Sequence, residues 1–326
     1  MSKKVIVMGA GTGIFPVVSG LKHFSDAQIS SIIAVSDSGG STGRIRDEFG
    51  FQPVGDLRQA LAAFAESDGE EWIRKILLYR FTKGTGLQGH NLGNLILTAL
   101  QDMTGDTTQA LEIAEKVFRL DGRVIPVTKD TVNLQIEYAD GSVVVGEHTL
   151  DQKQDRAKKI ARVHLVPHAT INPVAAEAIR DADMVIIGPG DYYASLMVTL
   201  VAEGTKETFA KTRARIVYVL NLMTRFTQTP DMTALDHVKG IETAIGRQVD
   251  VIVVNSETIP QTILDLYAHE NEFPVVDDLN GDVRVVRGKI LSEQLEGTVA
   301  YDTAHRSLLR HDAKKIGKLL MNLSNI

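Results

Sequence analysis

No cysteine occurs among the 326 residues. This removes disulfide scaffolds, thiolate zinc sites, iron–sulfur clusters and cysteine nucleophiles together. The absence fits a reducing cytosol but is permitted in any compartment. Long apolar runs are also missing. After MSKK the stretch Val5–Met8 ends at Gly9, too short for a secretory leader core or a membrane span. The expectation is a cytoplasmic protein without a membrane span. Basic residues are fewer than acidic ones, 35 against 41, for a net charge of −6. The broad positive footprint of a general nucleic-acid binder is therefore lacking, although a local basic pocket is compatible with that balance. There is no low-complexity tract, no internal repeat and no Pro/Ser-rich linker. The G-K-[ST] signature of a Walker P-loop is absent as well.

What is present is ample core material: 44% of residues are hydrophobic and 23% charged, ordinary for a globular chain. The length predicts about two domains or one large one. With no visible boundary, one large α/β domain over residues 1–326 is expected. Val5–Met8, Ile29–Val35, Met184–Ile187, Ile216–Leu220 and Val249–Val254 are short continuous apolar runs, each followed by a polar or glycine turn. Helical patterns lie between them, such as Ile14, Val17, Val18 and Leu21. Alternation of this kind predicts a three-layer, mainly parallel, Rossmann-like sheet. Inserted into it, Leu134–Tyr138 and Ser142–Gly146 flank Ala139-Asp140-Gly141 and read as a β-hairpin. Val283–Val286, after Asn280-Gly281, suggests a second hairpin or an edge element. The charged stretch from Asp151 to Arg162 reads as a solvated connection or a helix.

In open α/β sheets ligands bind beyond the carboxyl ends of the strands, and the unusual residues of this chain cluster there. Gly9-Ala10-Gly11-Thr12-Gly13 reads either as a phosphate loop or as a plain strand–helix turn. Asp37-Ser38-Gly39-Gly40-Ser41-Thr42-Gly43-Arg44 brings amides, hydroxyls and a guanidinium to one loop. Its bland alternative is a solvated turn with Arg44 paired to Asp47 or Glu48. Gly55-Asp56-Leu57-Arg58 offers Asp56 as an N-cap or a ligand group, with Arg58 as a solvated first-turn charge. Gly89-His90-Asn91-Leu92-Gly93-Asn94 opens an apolar helix and would suit a neutral polar ligand or serve as a cap. His90 lacks a histidine partner at metal spacing, so no zinc site is expected. Gly188-Pro189-Gly190-Asp191 ends a strand at another anion-ready helix start, and Asn221 and Asn255 end two more strands.

Together GAGTGI, SDSGGSTGRIRDEFG, PVGDLRQAL, YRF, GHNLGNL, GPGDYYASL, YVLNLMT and VIVVNS, in this order, resemble the gluconeogenesis factor (YvcK-like) family. These proteins are relatives of the 2-phospho-L-lactate transferases (CofD-like). The match covers about residues 4–256, and Arg310-His311-Asp312 extends it. The resemblance implies a cytoplasmic three-layer α/β fold that binds a nucleotide or nucleotide sugar, typically UDP-N-acetylglucosamine. It further implies a link to gluconeogenic growth, cell shape and cell-wall precursor supply. By motif position it implies phosphate or sugar contacts from Gly9, Gly11, Thr12, Gly13, Asp37, Gly39, Gly40, Ser41, Gly43 and Arg44. Asn91, Asn94, Gly188, Gly190, Asn221 and Asn255 follow, with Tyr267 and Arg310 as late candidates for holding the sugar or diphosphate.

One departure bears on chemistry. Where the family usually carries Asp-Asp-Gly-Gly, this chain has Asp37-Ser38-Gly39-Gly40, and one carboxylate holds Mg²⁺ less well than two. Three functions stay in competition. The first is a nucleotide-sugar-binding regulatory protein that needs no cofactor and acts on a protein partner of unspecified identity. The second is a transferase of a phosphate-linked group, with Mg²⁺ on Asp37. The third is an NAD(P)-dependent oxidoreductase, for which the G-x-G-x-x-G spacing is lacking. Apolar C-terminal elements leave room for a homo-oligomer.

Overall fold

A computed structural model describes residues 2–65, 71–150, 158–293 and 308–324. Seven strands form one sheet: β1 (Lys3–Gly9), β2 (Ala27–Ile33), β3 (Arg123–Pro126), β7 (Met184–Ile187), β8 (Arg215–Val219), β9 (Val251–Asn255) and β10 (Val285–Gly288). Their order is β10-β9-β8-β7-β1-β2-β3, and every pair is parallel. Val5, Val7, Met8, Val185, Ile186 and Ile187 are fully buried, as expected of central strands covered on both faces.

Between β2 and β3 lie α2 (Gly40–Phe49), α3 (Gly55–Phe64), α4 (Glu71–Leu78), α5 (Leu92–Thr104) and α6 (Thr107–Phe118), while α1 (Phe15–Leu21) joins β1 to β2. A short α7 (Glu147–Leu150) follows the hairpin, and α8 (Pro173–Arg180) leads into β7. After β7 come a π-helix (Tyr192–Met197), α9 (Val198–Leu200) and α10 (Thr205–Lys211). Next are α11 (Ala234–Ile245), α12 (Gln261–Ala268) and α13 (Ala313–Ser324). Helix α1 packs on α13 and α3, and α10 packs on α8 and α11. Because the strand order runs outward in both directions from β1 and β7, right-handed crossovers place these two groups on opposite faces. The α1–α13 contact is backbone-close: a methyl group on Gly20 would lie 2.0 Å from the Ala313 carbonyl oxygen, and one on Gly317 would lie 2.5 Å from Gly20.

The expected hairpin is present as β4 (Asn133–Tyr138) and β5 (Val143–Val145). It is enlarged by β6 (Ile160–Val166), which pairs antiparallel with β4 to give the order β5-β4-β6. This corrects the end of the charged stretch. Residues 151–157 lie outside the described residues, but Ile160–Arg162 begin a strand whose Ile160, Val163 and Leu165 are buried. The strand near 283–286 is an edge element and not a hairpin. It pairs parallel with β9 and starts at Val285, leaving Val283 99% exposed. No described helix is long and apolar enough to cross a membrane.

Candidate functional site

The strand order reverses between β1 and β7. In a parallel sheet that reversal splays the two following loops apart and opens a crevice beyond the strand ends. The loops there are Gly9–Gly13 after β1 and Gly188–Asp191 after β7, and they touch. A methyl group on Gly13 would lie 2.6 Å from Gly190 Cα and 2.7 Å from the Pro189 carbonyl oxygen. Only glycine permits that approach. Gly11 has φ +53° and Gly188 φ +82°, so both occupy the left-handed region as well.

Several donors expected to be open in this crevice are already engaged. Gln228 Oε1 accepts the Tyr193 and Ala194 amides at 3.2 Å each. The helix start after Gly188-Pro189-Gly190 is therefore plugged by a side chain, which corrects the reading of that N-terminus as anion-ready. Asn221 Nδ2 donates to the Gly190 carbonyl oxygen at 2.7 Å, so Asn221 does stand at the crevice. Arg310 is buried and its Nη1 donates to the Thr12 carbonyl oxygen at 3.1 Å, joining the C-terminal segment to the first loop. Tyr267 holds the same segment from behind: its hydroxyl accepts the Leu309 amide at 3.0 Å.

A second cluster forms where α2 and α5 start side by side. Gly39 N donates to Asp37 Oδ1 at 2.8 Å. Gly43 lets the chain fold over the helix, since a methyl there would lie 2.4 Å from the Ser38 carbonyl oxygen. Asn91 caps α5, its Oδ1 accepting Asn94 N at 3.1 Å, while its Nδ2 donates to the Leu78 carbonyl oxygen at 3.0 Å. Asn94 Nδ2 donates to Thr42 Oγ1 at 3.3 Å and to Ser41 Oγ at 3.5 Å. Arg44 is exposed at the rim. The residue paired with Asp47 is Arg46, at 3.2 Å, and its Nη1 also donates to Asn133 Oδ1 at 2.7 Å. That second bond ties α2 to the small sheet.

Asp56 joins the two clusters. It does not cap α3; Val54 holds the N-cap position and no side chain caps this helix. The Asp56 carboxylate instead faces Gly11, whose amide donates to it. A methyl group on Gly11 would lie 3.0 Å from Asp56 Oδ1, and one on Gly55 would lie 2.4 Å from Asp37 Oδ2. Burial, then the Asp37 charge and more weakly Asp191, push the Asp56 pKa up to about 8, against the pull of Arg58 and the Gly11 amide. Burial raises Asp37 too, opposed by the Gly39 amide, the Thr42 hydroxyl, Arg58 and Arg46. Arg58 is not the solvated charge expected of it. It is 5% exposed, with Nη1 reaching the Leu77 carbonyl oxygen at 3.4 Å, and is the buried counter-charge to both aspartates.

Of the residues singled out by sequence, the β1/β7 crevice gathers Gly9, Gly11, Thr12, Gly13, Gly188, Gly190, Asn221 and Arg310. The α2/α5 corner gathers Asp37, Gly39, Gly40, Ser41, Gly43, Arg44, Asn91 and Asn94. Asn255 belongs to neither group. Its Nδ2 donates to the Glu257 carbonyl oxygen at 2.9 Å, and its Oδ1 accepts the Glu257 and Ile290 amides. It serves its own turn. Missed were the pairing of Asp56 with Asp37 and the roles of Arg58, Gln228 and Arg225, whose Nε lies 3.5 Å from Asp191 Oδ1. One signal was available for Arg58. The run Ala60-Leu61-Ala62-Ala63-Phe64 that follows it is apolar on every face, and a charge drawn into such a buried helix requires an ionic partner.

Residues 5–295 match the family of 2-phospho-L-lactate transferase CofD. The chain belongs to the CofD family. Among curated relatives it is 38% identical over 323 residues to the gluconeogenesis factor of Bacillus subtilis, covering 98% of both chains. It is 36% identical to that of Halalkalibacterium halodurans, covering 98% of this chain and 96% of the relative. A crystal structure of a Bacillus halodurans protein superposes with a TM-score of 0.88 at 35% identity, over 98% of this chain and 99% of that one. The chain thus groups with the gluconeogenesis factors within the CofD family, and shares their α/β fold.

Proposed function

We propose that this chain is a cytoplasmic regulatory protein that binds a nucleotide sugar of the UDP-N-acetylglucosamine type across the β1/β7 crevice and the α2/α5 corner. The reading extends to a role in gluconeogenic growth, cell shape and cell-wall precursor supply. Its carrying observation is the convergence of two glycine loops at the strand reversal, next to a helix start provided with hydroxyls and Arg44. Backbone amides there suit phosphate oxygens, and the unpartnered Oδ1 atoms of Asn94 and Asn221 suit donors on a sugar or base edge. A thermal unfolding screen of nucleotides and nucleotide sugars, with and without Mg²⁺, tests it. At 100 times its dissociation constant, a ligand of the folded state adds about 2.7 kcal/mol. A Mg²⁺-independent shift with UDP-N-acetylglucosamine is expected; a shift confined to guanine nucleotides with Mg²⁺ would overturn the reading.

A second reading, transfer of a phosphate-linked group, gains support from one geometric point. Although position 38 is Ser, α3 brings a second carboxylate, Asp56, beside Asp37. Two carboxylates with the Thr42 hydroxyl fit a hard cation such as Mg²⁺. Among the described residues no group of three acidic or histidine side chains is disposed for a metal, so ligand oxygens and water would complete its shell. When bound, the cation would offset phosphate charge. The chain's own part would be to hold the leaving phosphate on loop amides and Arg44.

A further inference from the structure

His90 stands at the rim of the α2/α5 corner, and the direction of the hydrogen bond between its ring and Ser41 can be deduced. Ser41 Oγ lies 3.3 Å from His90 Nδ1. The same oxygen receives the Asn91 amide at 3.3 Å and Asn94 Nδ2 at 3.5 Å. A hydroxyl has one proton and two lone pairs. With both lone pairs engaged, the Ser41 proton points at His90 Nδ1, which must accept it. A neutral imidazole that accepts at Nδ1 carries its own proton on Nε2. Among the described residues Nε2 is not an enclosed unpartnered atom, and His90 is only half-buried. Its N–H is therefore available to a bound molecule.

The surroundings of His90 are cationic. From α2 come Arg44 and Glu48, and from the preceding segment comes Arg80, whose Nη1 donates to the Gly89 carbonyl oxygen at 2.8 Å. Arg44 Nη2 passes within 3.1 Å of where a Gly89 methyl would be, so the guanidinium and the imidazole are neighbours. Burial and the Arg44 charge hold His90 below the usual histidine range, with Glu48 opposing. Both effects favour the neutral imidazole. A neutral N–H beside a guanidinium has donors and no acceptor to offer, which suits an oxygen that only accepts.

We propose that His90 Nε2–H and Arg44 form a paired donor for a phosphate oxygen of the bound molecule, with Ser41 as the positioning residue that fixes the imidazole tautomer. The proposal rests on the reading of this site as phosphate-binding, and its test separates the two. Long-range proton–nitrogen NMR of histidine-labelled protein reads the tautomer directly. The free protein should show His90 as the Nε2–H form, and Ser41→Ala should mix the two forms. Titration with inorganic diphosphate should move the His90 Nε2 signal and raise the His90 pKa, because the added negative charge favours the imidazolium. His90→Ala should weaken diphosphate binding by about fivefold or more, whereas His90→Gln, which restores a donor, should stay within about twofold. The double variant Ser41→Ala/His90→Ala should bind no more weakly than His90→Ala alone.

An Nδ1–H tautomer in the free protein overturns the proposal, as does a His90 signal unmoved by saturating diphosphate. If UDP-N-acetylglucosamine binds with His90 unmoved and with unchanged affinity in His90→Ala, the clamp fails and the nucleotide-sugar reading stands. If diphosphate moves His90 while the sugar nucleotide does not bind, the clamp stands and that reading fails.

Discussion

Around Gly13 and Gly190 the walls of the crevice are backbone against backbone, whereas around Ser41 and Asn94 they are side chains hydrogen-bonded to one another. Both places carry glycine-rich sequences, yet the glycines do different things. In the crevice they make room for the fold itself, and Gln228 occupies amides that a ligand would otherwise use. At the corner, Gly39 and Gly43 shape the loop that carries Asp37, Ser41 and Thr42, and each region keeps one buried acceptor without a partner, Asn94 Oδ1 here and Asn221 Oδ1 in the crevice. A glycine motif therefore marks a close approach, and the neighbouring side chains decide whether the approach serves packing or recognition.

The largest effect that would break this contrast lies in the crevice. Gly13→Val should destabilise the fold by about 2–4 kcal/mol, since its Cβ meets backbone that cannot give way. Denaturant unfolding that finds less than about 1 kcal/mol would show that the loops have slack and that the crevice is not a packed contact. Next comes the aspartate pair linking the two regions. Asp56 titrates near 8 when folded but near about 4 unfolded, so the folded state holds a proton that the unfolded state has lost. Its contribution is fully present below about pH 4 and is lost as pH rises through about 8. Asp56→Asn should flatten the fall in Tm between pH 5 and 8 and stabilise the protein at pH 8 by about 1–3 kcal/mol. A slope unchanged in this variant would place the titration elsewhere.

Smaller in energy but sharper for function is Arg44→Ala. Arg44 is exposed, so Tm should stay within about 1 °C while affinity for UDP-N-acetylglucosamine falls more than about tenfold, or about 1.4 kcal/mol. Equal affinity in a folded variant would remove Arg44 from the site. The smallest expected effect on binding is that of Asn255→Ala. It should lose about 1 kcal/mol of stability with its turn bonds and leave affinity unchanged within error by calorimetry. A loss of affinity would return Asn255 to the ligand.

The parallel strands were legible in sequence because a strand buried on both faces is a short apolar run ending in a turn, as in Val5–Met8 and Met184–Ile187. β6 was hidden for the converse reason: only Ile160, Val163 and Leu165 face the interior, and the exposed Arg162 and His164 read as a solvated stretch. The loops of the site were found from their glycines and polar residues. Asp56 was seen, but a local rule for helix starts competed with a partner 19 residues away, and no local pattern announces that pairing. Tyr267 and Arg310 came from family likeness alone. The structure puts Arg310 against Thr12 and gives Tyr267 the supporting position behind it.

The bond from Arg310 to Thr12 spans 298 residues of chain. Such a contact is non-local, and the entropy of closing its loop must be met before the bond returns anything. The wall that Arg310 contributes therefore exists only when these two distant segments are in place together. A ligand held between Thr12 and the Arg310 segment would favour molecules in which the two are joined and slow the release of that segment. The meeting of distant segments and competence to bind are in this way joined at a single guanidinium.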